Sequence, residues 1–411
     1  MSVGRRTVLL LGGSRDVRRD DDPASDVLVR SMDPEAASVG WRKTIAADSI
    51  PSIASLVLER QRHDAICVMP LDGAMPPRAW LESRHARGWI EPPPAGFRDL
   101  EALATTIDDA LSMGFVGADA VLLGCSNGGL PRLSWGEDRR SDGLGKPLAS
   151  TGQHTDEHVG KRIDERIDER IDERIDERAI GLYAIVDSVA AVRRALDAGI
   201  TTVQLRIKRP IDADARWDTQ LRREVVSAID AVRDAGAELI LNDHWHMAAE
   251  LGIASVHLGQ EDVESLGPAG RAGIATNGIR LGISSHSVWE LCRARALSTR
   301  YIACGPVWPT TTKDMPWVPQ GPDNLSWWAR NAGRPVVAIG GILDPRQARV
   351  AARSGADGVC LVRALGDDPA RVVPSFREAF QRGRAERALA LARGAPWPHP
   401  TLPEGYPSAR R

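Results

Sequence analysis

From residue 181 onward the chain repeats one pattern: a short apolar run, a polar or glycine-rich turn, an amphipathic stretch, then another short apolar run. Eight such runs can be read: Gly181–Asp187, Thr202–Ile207, Glu238–Asp243, Ser255–Gly259, Arg280–Ser285, Tyr301–Val307, Pro335–Gly341 and Gly358–Ala364. Each is short and apolar, as expected of strands covered on both faces. Helical patterns such as Val189–Ala198 and Asp344–Ser354 lie between them. Eight strand–helix units in about 200 residues favour closure into a (β/α)8 TIM barrel over an open sheet.

The barrel accounts for about half of a 411-residue chain, so other domains are expected. Residues 1–135 carry mixed patterns, with strands expected at Thr7–Gly13 and Asp64–Met69 and helices at Leu100–Ala110 and Asp119–Leu123. They read as a smaller α/β accessory domain. Leu11-Gly12-Gly13-Ser14 is read as a turn after a strand rather than a phosphate cradle. Residues 136–178 are polar and end in a tetrapeptide repeat, Arg162-Ile163-Asp164-Glu165 recurring to Arg178. On a helix, Ile163, Ile167, Ile171 and Ile175 would form one drifting stripe. Four isoleucines bury little surface, so the segment reads as a charged, solvated linker. The barrel domain is expected over 179–390. Residues 391–411, with prolines at 396, 398, 400, 403 and 407, are expected to be a disordered tail.

Composition excludes several classes. A formal charge of −2 gives no reason to expect nucleic acid or membrane as a partner. No apolar run reaches the roughly 18 residues of a membrane span, and Thr7–Leu11 is too short for the core of a signal peptide. The five cysteines are odd in number and show no CxxC spacing, which argues against a disulfide framework or a zinc site. Cys304 and Cys360 fall inside strand patterns and read as structural. A reducing, cytoplasmic setting fits.

Polar residues at the C-terminal ends of barrel strands are presumptively functional. The second strand ends Gln204-Leu205-Arg206-Ile207-Lys208, and alternation puts Gln204, Arg206 and Lys208 on one side, facing the barrel mouth. Two cations there call for an anion. Asn242-Asp243 ends the third strand, and Asp262 follows the fourth. Two carboxylates on adjacent strand ends suggest a hard divalent cation such as Mg²⁺; a lone Asp after a strand would otherwise be a helix cap. The fifth strand ends in Ser284, Ser285 and His286. After the sixth, Thr310-Thr311-Thr312-Lys313 offers hydroxyls and an ammonium to an anionic or polar ligand. Gly340 and Gly341 end the seventh strand, and Val362-Arg363 ends the eighth, where such barrels hold phosphate.

These motifs, in this order, resemble the thiamine-phosphate synthase family: VQLRIK (Val203–Lys208), ND (Asn242–Asp243), VHLGQED (Val256–Asp262), LGISSHS (Leu281–Ser287), the block Tyr301–Gly321, and VAIGGI (Val337–Ile342). The resemblance covers residues 181–365. It implies a transferase that joins hydroxymethylpyrimidine diphosphate to thiazole phosphate. Gln204, Arg206, Lys208, Asn242, Ser284 and Lys313 would hold the pyrimidine diphosphate, with His286 assisting. Asp243 and Asp262 would hold Mg²⁺. Thr310, Thr312, Gly341, Val362 and Arg363 would hold the thiazole phosphate. Arg206, Lys208 and Lys313 would also stabilise the departing diphosphate. The family often has serine where this chain has Arg363. His244, His246 and His257 read as packing or supporting residues, because magnesium prefers oxygen.

The sequence leaves three alternatives open. A thiazole tautomerase of the same fold would lack the metal and diphosphate residues that this chain keeps. A silent barrel would bind thiazole phosphate without turnover. A bifunctional kinase–synthase would need an ATP site in residues 1–135. Ile107–Leu123 faintly resembles the last helices of hydroxymethylpyrimidine kinase, but the segment is too short for a whole kinase.

Overall fold

The computed structural model of the chain describes residues 8–12, 27–31, 65–68, 78–93, 100–136, 180–311, 315–392 and 397–403. The tetrapeptide repeat, Gly13, Ser14, Thr312 and Lys313 lie outside the described residues. Contacts divide the chain into two units. One comprises Met1–Ile163, Ser287–Ala296 and His399–Arg411; the other comprises Asp164–His286 and Leu297–Pro398.

The first unit is built on a six-stranded sheet of order β2-β1-β3-β4-β5-β6. Its strands are β1 (Val8–Gly12), β2 (Val27–Ser31), β3 (Ala65–Val68), β4 (Ala79–Ser83), β5 (Arg87–Glu91) and β6 (Arg132–Leu133). β1 runs parallel to β2 and β3, and the remaining pairs are antiparallel. Helices α1 (Leu100–Ser112) and α2 (Gly117–Gly124) follow β5. α2 is buried along its whole length, as its nearly all-apolar sequence requires. The β4–β5 hairpin is not apparent in the sequence, because β4 carries Glu82. That carboxylate is buried, yet it accepts bonds from Arg87 (2.8 Å) and Trp80 (3.3 Å), which makes burial tolerable.

The second unit is the expected barrel. Its strands are β7 (Gly181–Val186), β8 (Thr202–Leu205), β9 (Glu238–Asn242), β10 (Ser255–Leu258), β11 (Arg280–Ser285), β12 (Thr299–Cys304), β13 (Val336–Ala338) and β14 (Gly358–Leu361). They close in the order β10-β11-β12-β13-β14-β7-β8-β9, with every ladder parallel. Helices α3 (Val189–Asp197), α4 (Ala215–Asp234), α5 (Trp245–Leu251), α6 (Gln260–Ser265), α7 (Gly267–Thr276), α8 (Val288–Arg295), α9 (Gly321–Asn331), α10 (Pro345–Arg353) and α11 (Pro369–Leu391) alternate with the strands or follow them. Ser188, Asp214 and Ser287 cap the N-termini of α3, α4 and α8, as short polar side chains at that position should. Ile180, Tyr183, Ile185, Ile240, Tyr301 and Val337 belong to the apolar core of this unit. Cys304 and Cys360 are buried thiols in their strands, and burial pushes both well above the ordinary cysteine value.

A polar cluster links the starts of four strands, β9 to β12. Glu238 is buried and accepts Arg300 (2.5 Å), Arg280 (3.0 Å) and the Ser255 hydroxyl (2.6 Å). α8 follows β11 along the chain, but by its contacts it belongs to the first unit. There the Asp119 carboxylate accepts the Trp289 N–H (2.8 Å), and Arg295 donates to the Leu130 carbonyl (2.9 Å). Part of the proline-rich C-terminal stretch is also packed, since Thr401 and Leu402 are buried. Proline supplies no N–H but still offers apolar surface, so proline content alone does not decide burial. Among the described residues no helix is long and apolar enough to cross a membrane.

Candidate active site

Most of the expected site residues gather at the C-terminal ends of the barrel strands. β8 ends at Leu205, and the Arg206 N–H still bonds the Val186 carbonyl at 2.7 Å. Gln204 lies within β8, and Arg206 and Lys208 lie beyond its end. Gln204 is buried in the barrel, where its amide donates to the Tyr183 hydroxyl at 2.6 Å. The strand stops one residue later, so alternation does not carry through to Lys208. Lys208 is exposed and pairs with the Asp243 carboxylate.

Asp243 has φ of 64°, a left-handed backbone found at no other non-glycine residue among those described. That conformation costs energy in an L-residue and clusters at functional sites. It is held by the Asp243 N–H on the His257 carbonyl (3.0 Å) and by the Trp245 N–H on the Asp243 carbonyl (2.9 Å). The neighbouring Asn242 is buried, and its side-chain Nδ2 has no partner in the protein. A buried donor left this way calls for an acceptor from a ligand or water. Asp262 sits in the first turn of α6 and accepts the Gly259 N–H at 3.0 Å. The capping role is real, and it leaves a second carboxylate oxygen. Asp243 and Asp262 line one cavity of about 670 Å³, together with His244, Trp245 and Leu266.

The three histidines near this wall have different partners. His244 bonds the Ile207 carbonyl through Nε2 (2.9 Å), and His246 lies against Trp245 with ring centroids 3.7 Å apart. His257 is buried between Tyr301 (Nδ1, 2.9 Å) and Ser284 (Nε2, 2.9 Å). Burial lowers its pKa to about 4, and the charges of Asp243, Arg206, Lys208 and His286 act on it as well. The imidazole is therefore neutral.

On β11, Ser284 meets His257, and its carbonyl accepts the Gln260 amide at 2.9 Å. His286 stacks on Trp317, with centroids 5.2 Å apart and planes at 9°, and its carbonyl accepts the Gln320 amide at 2.8 Å. These contacts tie the loop after β12 to the end of β11. The same loop carries Thr310 and Thr311, and Arg363 bonds both, at 3.5 Å and 3.1 Å. Gly341 has φ of 71°, and a Cβ there would lie 2.6 Å from the Trp308 side chain, so only glycine fits against that loop. Val362 is half-buried and immediately precedes the 3-10 turn Arg363–Leu365.

Tyr183 and Tyr301, which bond each other at 2.7 Å, escaped the sequence reading. A signal was present. The chain has only three tyrosines, and two fall in strand interiors, where a buried hydroxyl requires a partner.

A family model described as thiamine monophosphate synthase matches residues 182–365. Thiamine-phosphate synthase of Neisseria meningitidis serogroup A is 43% identical over 198 residues, which is 47% of this chain and 92% of that protein. The chain belongs to the thiamine-phosphate synthase family. The homologous enzyme of Yersinia pestis strain Pestoides F is 44% identical over 187 residues, 45% of this chain and 82% of that protein. Among solved structures, thiamine phosphate pyrophosphorylase from Pyrococcus furiosus is 27% identical, spans 50% of this chain and 97% of its own, and superposes with a TM-score of 0.42. The portion of this chain that the family model matches is the barrel; the strands of the first unit lie before it.

Proposed function

We propose that the barrel condenses hydroxymethylpyrimidine diphosphate with thiazole phosphate, giving thiamine phosphate and diphosphate. Membership of the family supports this activity. The carrying observation in the site is the Lys208–Asp243 ion pair beside the buried Asn242, whose side-chain Nδ2 has no partner in the protein. An ammonium paired with a carboxylate on a left-handed backbone, beside an unpartnered buried amide, suits a diphosphate far better than an uncharged ligand.

In this reading Gln204, Asn242 and Ser284 orient the pyrimidine diphosphate, and Asn242 Nδ2 gains the acceptor it lacks in the protein. The pyrimidine-methyl C–O bond breaks, and the electron pair leaves with the diphosphate. Arg206, Lys208 and Lys313 stabilise the negative charge that develops on that leaving group. The thiazole nitrogen then forms the new C–N bond. It is a neutral nucleophile with no proton to lose, so no general base is required. Thr310, Thr311, Thr312, Arg363, Val362 and the backbone at Gly341 hold the thiazole phosphate, with Arg363 pairing its oxygens.

Asp243 and Asp262 would hold Mg²⁺. The donor set fits: two carboxylates line one cavity, each with an oxygen beyond its Lys208 or Gly259 bond, and magnesium completes its shell with water and phosphate oxygens. When bound, it would supply charge neutralisation for the leaving diphosphate. Small-molecule substrates and a cytoplasmic setting follow from the same reading. The test is direct: full-length protein, both substrates, with and without Mg²⁺, following thiamine phosphate and diphosphate. Absence of both products under Mg²⁺ would refute the proposal.

A further inference from the structure

A chain of five side chains crosses the barrel from β8 to β11. The Gln204 amide lies 2.6 Å from the Tyr183 hydroxyl, which lies 2.7 Å from the Tyr301 hydroxyl. That hydroxyl lies 2.9 Å from His257 Nδ1, and His257 Nε2 lies 2.9 Å from Ser284 Oγ. The four inner members are buried, whereas Ser284 is half-buried at the end of its strand.

The Gln204 amide nitrogen, facing Tyr183, sets the direction of this chain. The Gln204 nitrogen can only donate. The Tyr183 oxygen therefore accepts from it, and the Tyr183 proton has one remaining acceptor, the Tyr301 oxygen. The Tyr301 proton in turn has one remaining acceptor, His257 Nδ1. A ring nitrogen that accepts carries no proton, so the His257 proton sits on Nε2 and is donated to Ser284. With the Gln204 nitrogen facing Tyr183, reversing the tyrosine–tyrosine or the tyrosine–histidine link would leave a buried hydroxyl proton without an acceptor, at a cost of about 1–3 kcal/mol. Ser284 Oγ is already an acceptor, so its own proton is free for a ligand.

We propose that Tyr301 is a positioning residue for this reaction. It holds the His257 proton on Nε2, and so makes Ser284 a hydrogen-bond donor toward an acceptor atom of the pyrimidine substrate. Tyr301 touches no substrate in this scheme and acts through His257. The fold makes a specific place for it. Gly282 faces Tyr301 across the β11–β12 ladder, and a Cβ at Gly282 would lie 2.2 Å from the Tyr301 ring. The substrate assignment rests on the function proposed above, but the direction of the chain does not.

The experiment separates the two. Full-length protein labelled with ¹⁵N-histidine is examined without substrates, and the His257 signals are assigned by their loss in His257→Asn. The expected wild-type spectrum has an unprotonated Nδ1 and a protonated Nε2. Tyr301→Phe removes one oxygen and should release the lock, giving averaged nitrogen shifts. It should also raise KM for the pyrimidine diphosphate about tenfold, leave KM for thiazole phosphate unchanged, and change kcat less than KM. Should Tyr301→Phe fail to fold, Gly282→Ala keeps both hydroxyls but displaces the ring, and the same loss of the lock is expected. A proton on Nδ1 in the wild type, or an unchanged tautomer in the variant, overturns the proposal. Confirmed tautomers in a protein without synthase activity would overturn the functional reading instead.

Discussion

The guanidinium of Arg363 donates to the Thr311 hydroxyl across 3.1 Å and reaches Thr310 at 3.5 Å. The eighth strand and the loop after the sixth thus meet through a side chain where the family often has serine. Arg363 is exposed, so it needs no anion merely to offset burial. If it pairs the thiazole phosphate, Arg363→Ser should cost about 1.5 kcal/mol, roughly a tenfold rise in KM for thiazole phosphate. KM for the pyrimidine diphosphate should stay put. Equal rises for both substrates would point to a folding defect, and no rise would leave the phosphate to the backbone alone.

Asp243 and Asp262 do different second jobs, and this separates their variants. Asp262 also caps α6 through the Gly259 N–H. Asp262→Asn keeps an oxygen for that bond, whereas Asp262→Ala should lose about 1 kcal/mol of stability as well. Both should cut turnover by orders of magnitude and raise the Mg²⁺ needed for half-maximal rate. Asp243→Asn should do the same with little change in melting temperature, because asparagine tolerates a left-handed backbone. Full activity of either Asn variant at limiting Mg²⁺ would exclude the carboxylates as metal ligands.

The barrel was legible because burial on both faces writes a strand as a short apolar run, and all eight runs fall on barrel strands. Strand-end polar residues were legible for a related reason: a polar group breaking an apolar run must be solvated or used. Depth was not legible. Gln204 and Lys208 share a parity, but β8 stops at Leu205, so one is buried on Tyr183 while the other reaches Asp243. The tyrosine–histidine chain was missed because its five members come from five strands, and only the closed barrel brings them together. In the first unit, Glu82 disguised a strand, since its partners Trp80 and Arg87 read as unrelated until the hairpin pairs them. The membership of α8 was equally hidden, because sequence order assigns it to the barrel and its partners Asp119 and Leu130 lie over 150 residues upstream.

Glu238 tests the other end of the barrel. It is the shared acceptor of Arg300, Arg280 and Ser255, and Arg300 is itself buried. Glu238→Gln preserves volume but leaves the buried Arg300 without its counter-charge. Removing one partner of a buried ion pair typically costs about 3–5 kcal/mol. Denaturant unfolding should show a loss of that order, with kinetics at a permissive temperature nearly unchanged, because the strand starts lie opposite the proposed chemistry. A loss below about 1 kcal/mol would show that the cluster is solvated and weak.

Asp119 gives the first unit a pH dependence with a definite sign. The residue is buried in α2, and its carboxylate accepts the Trp289 N–H at 2.8 Å. Burial raises its pKa to about 8 against an unperturbed 3.8; the Trp289 and Val288 N–H groups oppose the shift, and Glu290 adds to it. A carboxyl whose folded pKa lies above its unfolded value holds its proton in the native state after the unfolded chain has released it. Its contribution is therefore fully present below about pH 4 and is lost as pH rises toward about 8. Other carboxylates act in the opposite sense at low pH, so the comparison that isolates Asp119 is between variants. Asp119→Asn keeps an oxygen for the Trp289 N–H and cannot ionise. Between pH 5 and pH 8.5, the melting temperature of the wild type should fall relative to that of Asp119→Asn, and the two curves should converge toward acid. Parallel curves across that range would show that Asp119 is ionised in the native state and that the helix N–H groups outweigh its burial.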